Sequence, residues 1–126
     1  MKPKLLLTLA AIVLAAVGLY TLISPAAAWA LDAGASDLSK AAVRNAASVF
    51  IGLAVVNWFA RNADASKARD ALFLGNTVGF GLWAVLFGLA MFAGTPAFGW
   101  VFVLIYLLFT VAFFVVGRAN MSTGAS

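Results

Sequence analysis

Hydrophobic residues along this chain gather into four long runs: Leu5 to Ile23, Ala41 to Ala60, Ala71 to Phe92 and Ala97 to Gly117. Each approaches or exceeds the roughly 20 apolar residues that an α-helix needs to cross a ~30 Å hydrocarbon layer. The strict polar–apolar alternation of a membrane strand is missing. The pattern therefore predicts transmembrane helices at about 5–23, 38–60, 66–92 and 97–117. Together they make an all-α four-helix transmembrane bundle, a single domain over residues 1–126.

The polar breaks between the runs carry their own signals. Pro25 ends the first helix, since proline disfavours helix at the residue before it. The stretch that follows, "SPAAAWALDAG", raises two readings. Lys2 and Lys4 form a basic leader, and Ala26, Ala28 and Ala30 supply the small residues of a signal-peptidase site. A secretory core spans only about 7–15 residues, however. The first run is longer, so the stretch reads as a loop, carrying Trp29 and Asp32, rather than as a cleavage site before three remaining spans.

"SDLSK" then offers Ser36 or Asp37 as the N-cap of the second helix. Arg61 closes that helix, and Asp64 or Ser66 caps the third. "AGTPAFGW" predicts a tight connection: Gly94 at a helix C-terminus, Thr95 as a cap, Pro96 in the first turn. Helices three and four are then antiparallel neighbours. The tail "ANMSTGAS" is short, small and polar, and is expected to fray.

Composition sharpens the membrane reading. Hydrophobic residues make up 65% of the 126 and charged residues 10%. Soluble domains run near half apolar and a quarter charged. The net charge of +4 follows the positive-inside rule rather than a nucleic-acid footprint. Lys2, Lys4, Arg61, Lys67, Arg69 and Arg118 fall on one side, Lys40 and Arg44 on the other. That imbalance places both termini in the cytoplasm. Tyr20, Trp29 and Trp100 then lie at the outer boundary and Trp58 at the inner one, where amphipathic rings settle.

The chemistry-bearing residues are few. Cysteine and histidine are absent, and the four acids Asp32, Asp37, Asp64 and Asp70 sit in loops or at helix ends. This leaves few nucleophiles or bases for an enzyme and no intramembrane carboxylate for proton-coupled transport. No catalytic residue, metal or cofactor is predicted, although a bound lipid, quinone or carotenoid is compatible with the spans.

Four groups of residues nevertheless stand out. Arg44, Asn45, Ser48 and Gly52 share one face of the second helix. They read as an anion or lipid-headgroup contact, or as an arginine that snorkels to the headgroups or pairs with Asp37 or Asp32. In the third helix, Gly75 and Gly79 form a GxxxG face with Asn76 and Trp83, and Thr77, Gly81, Ala84 and Gly88 form a second, roughly opposite face. Small residues let helix backbones approach closely in lipid, so Gly75, Gly79, Gly81 and Gly88 are candidate packing positions. Asn76 serves either as a hydrogen bond across helices or, with Asn57, as lining of a polar cavity. In the fourth helix Phe102, Tyr106, Phe109 and Phe113 recur at helical spacing, as bundle core or lipid contact, or as a slot for an apolar ligand or partner.

The organisation resembles a group of small bacterial four-helix integral membrane proteins carrying a domain of unknown function. Tyr20 and Pro25 close helix one, and "VRNAASVFIGLAVVNWFAR" opens helix two with an arginine and ends it with a tryptophan and an arginine. "DASKARDALFLGN" leads helix three, and "FGWVFVLIYLL" opens helix four at a glycine–tryptophan turn. Asn45-Ala46 stands where that group usually has a glycine. The resemblance implies the topology and a bacterial origin, and brings no activity with it.

The function expected is that of an accessory or assembly subunit in a bacterial inner membrane, packed against other membrane subunits. The alternative is a homo-oligomeric pore or transporter for a small or lipidic solute, lined by Asn45, Ser48, Asn57, Asn76 and Thr77.

Overall fold

The computed structural model describes residues 1–29, 31, 34–92 and 99–121. Its elements are α1 (Pro3–Ile23), the single turn α2 (Pro25–Ala28), α3 (Asp37–Ala60), α4 (Lys67–Phe92) and α5 (Gly99–Ala119), with no strand among the described residues. The four long helices have 21, 24, 26 and 21 residues. At 1.5 Å per residue they extend about 31–39 Å, and all four are long and apolar enough to cross a membrane.

Local chemistry sets the helix ends. Proline occupies the first position of both α1 and α2, where its missing N–H costs no hydrogen bond. Of the two N-cap candidates for α3 it is Ser36 that acts: its Oγ accepts from the Ser39 N–H at 3.1 Å. Before α4 it is Ser66, whose Oγ accepts from the Arg69 N–H at 3.2 Å. The proposed Gly94–Thr95–Pro96 turn, Asp32 and the last five residues lie outside the described part of the chain.

The chain divides into two compact units. One, Leu7–Arg61, holds most of α1 together with α2 and α3. Its buried residues follow helical spacing: Leu7, Ala10, Ala11, Leu14 and Thr21 on α1, and Ala47, Phe50, Ala54 and Asn57 on α3. α2 turns the chain back along α3, and the Trp29 indole Nε1 donates to the buried Thr21 Oγ1 at 3.4 Å.

The second unit comprises Met1–Leu6 and the residues from Asn62 onward, with α4 packed along α5. Its buried residues are Phe73, Asn76, Phe80, Ala84 and Met91 on α4 and Gly99, Val103, Tyr106, Phe113 and Val116 on α5. Arg69 secures one end of this pair. Its Nη2 donates to the Asn120 carbonyl at 2.8 Å and its Nη1 to the Ala63 carbonyl at 3.3 Å.

Candidate functional site

The aromatic stripe of α5 meets a matching row on α4. Phe80 stacks on Phe109 (centroids 4.8 Å apart, planes at 15°) and on Phe113 (5.8 Å, 15°). Phe73 meets the edge of Phe113 at 5.4 Å, and Phe87 meets Tyr106 at 5.8 Å and Phe102 at 6.1 Å. Offset and edge-on contacts at these separations add attraction beyond buried area. The rings interlock between α4 and α5, burying Tyr106 and Phe113 and leaving Phe102 and Phe109 half-buried. Phe73, Phe80 and Phe87, seven residues apart, are the half of this arrangement that inspection of helix four alone does not find.

Glycines decide where the helices touch. A Cβ on Gly81 would lie 3.5 Å from Thr110 Cγ2, ordinary contact with the neighbouring helix. Over Gly75, Gly79 and Gly88 no atom of the described residues comes within 4 Å of such a Cβ. Of the four packing candidates, Gly81 alone has a side chain of another helix within 4 Å of such a Cβ among the described residues. The reason is geometric: large rings at Phe73, Phe80 and Phe87 turn one side of α4 toward α5, and Gly75 and Gly79 fall on the other.

Three closer approaches occur elsewhere. A Cβ on Gly18 would stand 2.8 Å from Ile51 Cγ1 and 3.2 Å from the Ile51 backbone nitrogen. One on Gly99 would run into the Met91 thioether, and one on Gly117 would lie 3.2 Å from Phe73 Cβ. Gly99 and Gly117 are eighteen residues apart, about five helical turns, so they share the face that carries Tyr106 and Phe113. That periodicity was the available signal for them. Gly18 had none beyond being the lone glycine of its helix.

The polar side chains of the spans divide between two situations. Arg44, Asn45 and Ser48 are exposed on one side of α3, while Asn57, on the opposite side by the 100° helical step, is fully buried. A single polar path cannot be lined by both sets on one helix. Asp37 lies 3.9 Å from Lys40, and Asp32 is outside the described residues.

Several hydroxyls and amides turn back on their own helices. Ser48 donates to the Asn45 carbonyl at 2.7 Å, Asn76 to Leu72 at 2.9 Å, Thr77 to Phe73 at 2.9 Å and Thr110 to Tyr106 at 2.8 Å. Among the described residues, no buried side-chain nitrogen or oxygen lacks a hydrogen-bond partner.

Two grooves open beside these helices. One lies between α1 and α3, lined by Ala11, Ile12, Ala15, Ile51, Ala54 and Trp58 among others, all apolar or aromatic. Arg61 sits just past it with its guanidinium 3.7 Å from the Trp58 ring centroid and bonded to the Trp58 carbonyl. The other, of about 410 Å³, lies between the start of α4 and the end of α5. Its wall is apolar apart from Thr77, Asp70 and Arg118.

Among the described residues, no three His, Cys, Asp or Glu side chains gather where a metal ion could be held. Comparison with known proteins gives no match to a family model, a curated protein or a solved structure.

Proposed function

We propose that this chain is a non-catalytic multi-pass protein of a bacterial cytoplasmic membrane, with both termini inside, acting as an accessory or assembly subunit of a larger membrane complex. The observation that carries this reading is the pair Gly75 and Gly79, one turn apart on α4, with no described residue within 4 Å of a Cβ at either. Each glycine costs a helix about 1 kcal/mol relative to alanine. Against lipid that cost brings no return, whereas against a second helix it permits the close backbone approach that drives association in a bilayer. The six-to-two distribution of basic residues supports the orientation, and the lack of cysteine, histidine and mid-span acids supports a role without chemistry of its own. The resemblance in layout to small bacterial four-helix proteins of unknown function agrees with it.

The test is to purify the tagged chain from its host in mild detergent and identify what stays bound by mass spectrometry. A stoichiometric set of larger membrane subunits, lost from the Gly79→Leu variant, supports the proposal. A pure homo-oligomer sinks it. The second reading, a homo-oligomeric pore or transporter, is favoured by the exposed polar face of Arg44, Asn45 and Ser48 on α3. It requires the homo-oligomer and solute flux in liposomes that Asn45→Leu abolishes.

A further inference from the structure

The groove between α4 and α5 combines two features that belong together in one kind of molecule. Its floor and walls are hydrocarbon: Phe73, Leu74, Phe113 and Phe114, with Gly117 between them, where α5 comes close to Phe73. The Thr77 hydroxyl, one of the few polar groups on its lining, donates to the Phe73 carbonyl at 2.9 Å. From Asp70 to Thr77 the slot follows α4 for about 10 Å, comparable to much of one leaflet of the hydrocarbon core.

The rim at the helix ends carries one charge of each sign. Asp70 lies in the first turn of α4 and Arg118 in the last turn of α5, with Arg118 over the Phe114 ring at 5.6 Å. Each charge also sits at the helix end whose dipole favours it, so both are stably placed there. Arginine presents a fork of donors suited to phosphate. A carboxylate offers about four acceptor positions, so a contact elsewhere does not exhaust it.

We propose that this groove binds one glycerophospholipid from the adjoining leaflet, with an acyl chain along Leu74, Phe113 and Gly117, the phosphate at Arg118 and a primary ammonium at Asp70. The pattern selects phosphatidylethanolamine. Phosphatidylcholine has no N–H to donate, and phosphatidylglycerol brings no cation to Asp70.

The experiment is native mass spectrometry of the isolated chain in mild detergent with equimolar phosphatidylethanolamine, phosphatidylcholine and phosphatidylglycerol. The expected result is retention of one phosphatidylethanolamine about threefold over either competitor, the scale of one ion pair near water. Asp70→Asn should level ethanolamine with choline while keeping total lipid retention. Arg118→Gln should lower retention of all three, and Thr77→Leu, which fills the slot, should do the same. Circular dichroism checks that each variant is folded, and the two rim variants test the site by different readouts should one fail. Equal retention of the three lipids by the native chain, or unchanged selectivity in Asp70→Asn, overturns the proposal. Because the chain is tested alone, the outcome is independent of whether it belongs to a larger complex.

Discussion

Gly18 of α1 and Ile51 of α3 approach so closely that a methyl group on the glycine would stand 2.8 Å from the isoleucine Cγ1. Carbon atoms attract best at about 3.5–4.0 Å. The Ile51 backbone nitrogen is nearly as close, at 3.2 Å, so a rotamer change at Ile51 cannot relieve the clash alone. Gly18→Val should therefore force α1 and α3 apart. The expected loss is about 1–3 kcal/mol, as for other overpacked cores. Thermal unfolding in detergent, followed by tryptophan fluorescence, reads it as a lower midpoint; an unchanged midpoint would remove this contact from the account.

Gly75 and Gly117 make a matched pair for a second test. Leucine at Gly117 meets Phe73, the ring that abuts Phe113, and should lower the unfolding midpoint clearly. No described residue lies within 4 Å of a Cβ at Gly75, so leucine there should leave the isolated chain about as stable as before, or raise its stability by up to about 1 kcal/mol through helix propensity. If the two variants unfold alike, the facing of α4 described above is wrong.

Phe80 touches three rings of α5 and is 4% exposed, whereas Phe114 is 51% exposed. Phe80→Ala should cost about 3 kcal/mol, the low end for a buried aromatic, because lipid removes much of the apolar transfer term. Phe114→Ala should cost well under 1 kcal/mol. The comparison is made by denaturant titration in mixed micelles, and equal costs would dissolve the interlocked rows as a stabilising element.

Arg69 ties the connection before α4 to the end of α5 through the Ala63 and Asn120 carbonyls. Arg69→Ala should cost about 1 kcal/mol. More specifically, amides around Ala63 and Asn120 should exchange hydrogen faster while the middle of α5 is unaffected. Uniform acceleration along the whole helix would show global loosening instead.

Much of the helical layout follows from hydropathy, because a span must satisfy every backbone group internally and therefore announces itself as an unbroken apolar run. Expected boundaries such as 38–60 and 66–92 fall within one residue of α3 and α4. The capping serines were narrowed to pairs and the structure chose between them. Interhelical contacts were less readable. GxxxG at Gly75 drew attention as a motif, but which side of α4 faces α5 depends on Phe73, Phe80 and Phe87 meeting partners that only the folded hairpin supplies. Gly18 was silent for the same reason: a close approach belongs to two helices, and neither sequence segment contains it. The groove at Asp70 and Arg118 joins residues 48 positions apart, beyond the reach of any local pattern.

The way Ser48, Asn76, Thr77 and Thr110 spend their hydrogen bonds on their own helices bears on how such a chain is made. In hydrocarbon a hydroxyl or amide proton without an acceptor is costly, whatever the neighbouring helices do later. Ser48, Thr77 and Thr110 place their one hydroxyl proton, and Asn76 one of its amide protons, on the preceding turn of the same helix. Each such group therefore carries a partner with it wherever its own helix goes, before any neighbouring helix is in place.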